Sequence, residues 1–392
     1  MAEKTWVLTN IDRGIHEGEF LLPPDSATKE ATRGFKVQRR TLHGGLREGV
    51  DVVEINNGKF RFIVSPTRGM GLWKAWLGDT EIGWKSPVQG PVHPQFVPQT
   101  DPSGLGWLEG FDELICRCGL ESNGSPDLLS SGVYKYPLHG RIANRPAHYV
   151  ELKADPQAQQ ISVTGVVDET RFLFQKLRLR STYVTKVNQN GLRIVDEVTN
   201  LSGNPAELQL LYHCNFGAPI LDAGATVVLP ARSVVPRDAR AAEGIANWQS
   251  YPAEQAGYTE QVYFCELLPG PDHRTQVLLK NAHSTAGAGL RFDTRQLPYF
   301  TLWKNTAMAA DGYVTGLEPG TNLPNPRSFE GQHGRVVKLS PGETIKFEVD
   351  LEVYPDAQAV SAAEQAIAKL QGGAQPKVYE APQAPWCKVD KV

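Results

Sequence analysis

Three runs decide the fold: Gln160-Ile161-Ser162-Val163-Thr164-Gly165-Val166-Val167, Leu177-Arg178-Leu179-Arg180-Ser181-Thr182-Tyr183-Val184 and Leu192-Arg193-Ile194-Val195-Asp196-Glu197-Val198. Along much of each run, apolar and polar side chains alternate. A period of two sends successive side chains to opposite faces, which is the signature of a strand with one buried face. Working outward, similar runs occur at Val52-Val53-Glu54-Ile55, Phe60-Arg61-Phe62-Ile63-Val64, Leu208-Gln209-Leu210-Leu211-Tyr212, Gln261-Val262-Tyr263-Phe264, Gln276-Val277-Leu278-Leu279-Lys280 and Ile345 through Tyr354. Most are bounded by Gly, Pro, Asn or Asp. The 37 Gly and 28 Pro in 392 residues place a breaker about every six positions, too often for long helices. Many short strands so punctuated predict an all-β protein, a large antiparallel β-sandwich.

Two segments read as helix. Ala357 to Gln371 places Val360, Ala363, Ile367 and Leu370 on one face and stops at Gly372-Gly373. Ser26 to Thr32 is shorter, with Asp25 as its N-cap. The chain therefore divides into an N-terminal extension over 1–45 that wraps the sandwich, one β-domain over 46–355, and a C-terminal helix and extended tail over 356–392.

Charge and composition exclude some classes. Lys and Arg number 40 against 43 Asp and Glu, a net charge of -3. That balance argues against a nucleic-acid binder and gives no general pull toward anionic membranes. No apolar run approaches the roughly 18 residues of a membrane span. The opening Met1-Ala2-Glu3-Lys4-Thr5-Trp6 has no apolar stretch of a signal peptide. Five scattered cysteines fit a reducing compartment better than a disulfide framework, so the expected location is cytoplasmic. Cys116-Arg117-Cys118 lacks the second pair that a structural zinc site requires. Neither a Walker or Rossmann phosphate loop nor a Gly-x-Ser-x-Gly elbow is present.

Three segments carry chemistry. His139 lies in Tyr136-Pro137-Leu138-His139-Gly140-Arg141, and His213 in Tyr212-His213-Cys214-Asn215-Phe216-Gly217. The second places an imidazole at a strand end, where a group titrating near neutrality can pass a proton. Glu318 lies in Gly316-Leu317-Glu318-Pro319-Gly320-Thr321-Asn322, where a half-desolvated carboxylate can act as a base. A core histidine or a turn-capping carboxylate is the competing reading for each.

Together with Pro66-Thr67-Arg68-Gly69-Met70-Gly71-Leu72, Trp84-Lys85-Ser86-Pro87, Cys118-Gly119-Leu120-Glu121-Ser122-Asn123-Gly124 and Leu297-Pro298-Tyr299-Phe300-Thr301-Leu302-Trp303-Lys304, these segments resemble the aldose 1-epimerase (galactose mutarotase) family, in its less characterised aldose-1-epimerase-like branch. The resemblance runs from about residue 45 to 355. It implies the same antiparallel sandwich and a mutarotase that interconverts sugar anomers. Glu318 then takes the proton of the anomeric hydroxyl, His213 protonates the ring oxygen, and His139 holds the sugar. The resemblance implies no metal or organic cofactor. Its implied partner is a monosaccharide or sugar derivative, with no nucleic acid or membrane, and the protein is a monomer or homodimer. Arg68, Arg141, Asn215, Trp303 and Lys304 are further substrate-binding candidates, and Trp84 offers a second stacking face. Salt bridges for the cations and core positions for the tryptophans are the alternatives. The family's sugar-binding Asp has only positional candidates, Asp222, Asp238 and Asp311. A carbohydrate-binding or sensing protein without turnover, or a sugar-phosphate epimerase with a basic cluster at its cleft, are the rival functions.

Overall fold

The structure, a computed structural model, describes residues 2–389. Two large sheets dominate it, one of ten strands and one of fourteen. All nine runs quoted above lie in strands. Their core-facing side chains, among them Ile161, Val163, Leu177, Leu179, Leu192 and Ile194 from the smaller sheet and Phe60, Phe62, Val64, Leu210 and Tyr212 from the larger, form one apolar cluster between the sheets. The helix Ala357–Gln371 is capped by Asp356 and ended by Gly372 in the left-handed conformation. It buries Val360, Ala363 and Ile367 against Leu278, while Leu370 is only half-buried. Asp25 caps the short helix Ser26–Ala31 through the Thr28 N–H.

The first 45 residues supply strands to both sheets. Lys4–Asn10 pairs antiparallel with Tyr149–Asp155 in the smaller sheet. Lys36–Leu42 pairs with Val50–Asn56 in the larger. At the other end, Lys377–Val378 pairs parallel with Ala231–Pro236, and Cys387 is buried against Val235, Val262 and Phe264. Segments near both ends of the described chain thus pair with strands of the sandwich. The smaller sheet is closed through its middle by Thr344–Tyr354, which lies between Gly191–Asn200 and Gly287–Asp293.

One polar cluster ties the two layers. Arg117, on the larger-sheet strand Ile115–Leu120, reaches across the core to Asp196 on the smaller sheet through Nε and through Nη2 (2.9 Å to Oδ1). Its remaining N–H groups donate to Met70 O (2.8 Å), Tyr183 Oη (3.1 Å) and Ser181 Oγ (2.7 Å), and Tyr212 Oη donates to Asp196 Oδ2 (2.8 Å). A charge pair with no access to water is tolerated because these further hydrogen bonds replace its hydration.

Candidate active site

Strand register builds the site. Ala206–Phe216 pairs with Val314–Gly320 so that Leu211 faces Gly320 and Cys214 faces Leu317, which sets His213 opposite Glu318. On the other side of Glu318, Tyr299–Asn305 places Thr301 opposite it and Trp303 opposite Gly316. Tyr212 and Cys214 point into the inter-sheet core, whereas Leu211 belongs to a separate cluster with Trp84, Trp107, Phe111, Cys116 and Cys118. Alternation therefore turns His213 toward the outer face of the larger sheet. Loops between strands cover that face and enclose a cavity of about 420 Å³.

His139, His213, Glu318, Thr301, Trp303, Trp107, Phe111, Arg237 and Glu260 are among the residues lining the cavity. His213 and Glu318 are 4 % and 2 % exposed. His213 Nε2 lies 3.2 Å from Glu318 Oε1, yet the approach is not aligned for a hydrogen bond and Oε1 has no partner among the described residues. The two groups thus sit side by side on the cavity floor. Aromatic rings surround the imidazole: Phe111 at 5.1 Å, Trp303 at 5.3 Å, His139 at 5.3 Å and Trp107 at 6.0 Å between centroids.

The ring of His213 has a fixed tautomer. Asn215 Nδ2 donates to Glu113 O (3.0 Å) and His213 O (3.2 Å), so its Oδ1 faces His213 Nδ1 at 2.5 Å. Nδ1 must carry the hydrogen, leaving Nε2 as a lone pair toward Glu318 whenever the ring is neutral. His139 is set by its loop. Its φ is +56° and that of Gly140 is +72°. A Cβ on Gly140 would meet Ser122 O at 2.1 Å and Gly119 O at 2.4 Å, so only glycine fits there. His139 Nδ1 donates to Asn123 O at 2.9 Å. Asn123 in turn exchanges two 2.8 Å amide hydrogen bonds with Asn322, just beyond the Glu318 strand.

Burial discharges this group of residues. Removal from water pushes His213 down from 6.5 to about 3, the nearby His139 adding to the shift and the Asn215 hydrogen bond opposing it. Burial lowers His139 to about 4 against the pull of its bond to Asn123. Glu318 is raised well above its ordinary value by burial first and by the Glu260 charge second, with Arg237 opposing. Burial thus disfavours both the carboxylate of Glu318 and the imidazolium of His213, and the pair can share one transferable proton.

Other predicted residues lie elsewhere. Arg68 is fully buried and donates to Glu113 Oε1 (2.8 Å), Gly110 O (2.8 Å) and Asn144 Oδ1. Lys304 Nζ donates to Trp248 O (3.0 Å) and Ser250 O (2.6 Å). Arg141 lies 3.9 Å from Glu121, outside the cavity lining. Asn215 acts on the ring of His213 rather than lining the cavity. Trp84 is buried behind it, its Nε1 donating to Glu113 O (3.1 Å). Asp238 caps the helix Ala239–Glu243, Asp222 accepts from the Ala282 N–H (2.8 Å), and Asp311 sits in an outer turn. Besides Glu318, the carboxylate that lines the cavity is Glu260, which accepts from Trp303 Nε1 (2.7 Å) and Arg237 Nη2 (2.9 Å).

Trp107, Phe111, Arg237, Glu260 and Thr301 escaped the sequence reading. Only Thr301 had a usable signal: it stands two residues before Trp303 on a strand and so shares its face. Among the described residues no group of three or more His, Cys, Asp or Glu is placed to hold a metal ion, and all five cysteines are free and buried.

Residues 47–353 match the model of a family described as a domain of unknown function, DUF4432. None of the curated proteins matches the chain. Among solved structures it is similar to a candidate aldose 1-epimerase from Klebsiella pneumoniae, at 36% identity over 98% of this chain and 100% of that one, with a TM-score of 0.93. A galactose mutarotase-like protein from Clostridium acetobutylicum has the same fold at 16% identity (81% of this chain, 98% of that one, TM-score 0.55). So does a galactose 1-epimerase from Lactobacillus acidophilus at 14% identity (81% and 98%, TM-score 0.52). No helix among the described residues is long and apolar enough to cross a membrane.

Proposed function

Since the chain belongs to the DUF4432 family and has the galactose mutarotase-like sandwich, we propose that it is an aldose 1-epimerase that opens and recloses a sugar ring with His213 and Glu318. The observation that carries this reading is the pair itself: an imidazole and an unpartnered carboxyl oxygen 3.2 Å apart on the floor of a sugar-sized cavity. The anomeric hydroxyl and the ring oxygen share one carbon, so adjacent groups reach both. With the pair's shared proton moved from Glu318 to His213 Nε2, Glu318 accepts the proton of the hydroxyl while His213 Nε2–H gives one to the ring oxygen, and the C1–O5 bond breaks to leave an aldehyde. Rotation about C1–C2 and the reverse proton transfers close the other anomer. Ring opening turns a carboxylate and an imidazolium into their neutral forms, the direction in which burial pulls both.

Unmet hydrogen bonds support a polyhydroxylated ligand. Besides Glu318 Oε1, the cavity-lining residues Thr301 and Trp107 have a buried Oγ1 and a buried Nε1 with no partner among the described residues. Such groups cost free energy until a ligand meets them. The only cation of the lining is Arg237, already engaged by Asp238 (2.8 Å) and Glu260 (2.9 Å), which favours a neutral sugar over a sugar phosphate in this cavity. The test is polarimetry or NMR of freshly dissolved pure anomers over neutral aldoses, deoxysugars and uronic acids. Acceleration of at least one neutral aldose is the expected result. Sugar binding with no acceleration of any would make the protein a binding module.

A further inference from the structure

A second cavity, of about 710 Å³, opens on the larger sheet at the strands Lys36–Leu42, Phe60–Ser65 and Gly71–Leu77. Five cations line it: Arg40, Arg47, Arg61, Lys74 and Lys85. The only carboxylate in the lining is Asp112, which accepts from Trp73 Nε1 at 2.6 Å. Burial and the neighbouring Glu113 push Asp112 up to about 7 despite that bond, so its charge is partly withdrawn at neutral pH. Two nearby carboxylates answer some of the cations. Glu54 lies 3.9 Å from Arg40 and 3.6 Å from Arg61, and Glu81 lies 3.0 Å from Lys74. A positive surplus remains on a chain whose net charge is -3.

Several of these donors lack an acceptor. Arg40 Nε is buried with no hydrogen-bond partner among the described residues. Arg47 donates to a backbone carbonyl, Gly90 O (3.1 Å), and has no carboxylate partner. Lys85 has neither a hydrogen bond nor an ion pair among the described residues. Indole surface adjoins them: Trp73 and Trp76 line the same groove, with the Arg61 guanidinium 3.6 Å from the centre of the Trp76 ring. A stacked guanidinium keeps its in-plane N–H edge available to oxygen acceptors.

We propose that this groove is a second ligand site, distinct from the His213–Glu318 cavity, and that it binds a phosphate or sulfate ester carried on a sugar-sized body. The unanswered guanidinium and ammonium donors suit a tetrahedral oxyanion. The volume exceeds what inorganic phosphate alone would fill, and the indoles offer apolar surface to a carbon ring. The two sites stand back to back. Phe111 packs on His213 in one, the adjacent Asp112 lines the other, and Ser86 of the groove donates to Phe111 O at 2.7 Å.

Calorimetric titration of the full chain in low-salt buffer tests this, with glucose 6-phosphate, glucose 6-sulfate, inorganic phosphate, glucose and a single-stranded oligonucleotide as probes. Saturable binding of at least one ester is expected, tighter than that of inorganic phosphate and weakened by added salt. The doubly substituted Arg47→Ala, Lys85→Ala protein should bind that ester about tenfold more weakly or worse. Both side chains reach solvent and neither lines the His213 cavity, so this variant should fold and keep its basal activity. The stronger ester identifies which oxyanion the site prefers. The proposal falls if neither ester binds saturably, if binding survives the double substitution unchanged, if a neutral sugar displaces the ester, or if the oligonucleotide binds more tightly than both. Because the readout is binding, failure of the mutarotase reading leaves this test intact.

Discussion

Glu318→Gln takes one ionisable group from the cavity floor and leaves its shape. Oε1 has no hydrogen-bond partner among the described residues, so the carboxamide breaks no internal bond. It cannot accept the anomeric proton. Loss of a general base costs about 10²–10⁴-fold in rate, or roughly 3–5 kcal/mol on the barrier. Stability should move the other way. Burial raises Glu318 well above its ordinary 4.5. A raised folded-state value contributes stability that is fully present below pH 4.5 and is lost as pH rises through the folded value. Glutamine has no such loss. The variant should therefore melt with the wild type near pH 4.5 and above it near pH 9, while polarimetry shows the loss of rate and a binding isotherm shows the sugar retained. A variant that keeps more than about a tenth of wild-type kcat, or that melts below the wild type at alkaline pH, would refute the reasoning.

Three further outcomes follow from the same geometry. A Cβ at Gly316 would lie 2.3 Å from Glu318 Oε1, so Gly316→Ala should displace the carboxyl and lower kcat about tenfold or more, with circular dichroism unchanged. Asp196→Ala strands the Arg117 charge in the core and should cost about 3–5 kcal/mol in denaturant unfolding, much of it recovered when Arg117→Met and Asp196→Leu are combined. His213 falls from 6.5 to about 3 on folding. A depressed value means stability present above 6.5 and lost as pH drops toward 3, so the acid limb of the melting profile should be shallower in His213→Asn.

The strands were legible because alternation reports a half-buried sheet directly, and the helix Ala357–Gln371 because its apolar stripe has the helical period. The place of the N-terminal segment was not, since Lys4–Asn10 owes its strand state to a partner more than a hundred residues away and Lys36–Leu42 is held between Phe20–Leu21 and Val50–Asn56. Within the site, His213 and Glu318 stood out because each interrupts an apolar strand. Arg68 and Lys304 looked equally available, yet both spend their donors on backbone and buried acceptors, which spacing along a chain does not reveal. Arg237 and Glu260 flank the facing ends of the paired strands Ala231–Pro236 and Gln261–Leu267, and no local pattern marks them.

Strand order has a consequence for synthesis. The smaller sheet cannot be completed until Thr344–Tyr354 is available, because this segment pairs with Gly191–Asn200 on one side and Gly287–Asp293 on the other. A chain growing on the ribosome can pair Tyr149 through Asn200 early, as neighbouring hairpins, but it must then carry an unpaired edge at Gly191–Asn200 while some 140 further residues are made. An open edge of that length is a template for pairing between nascent chains on the same message. The edge at Gly191–Asn200 is thus the surface that must stay shielded until Thr344–Tyr354 emerges.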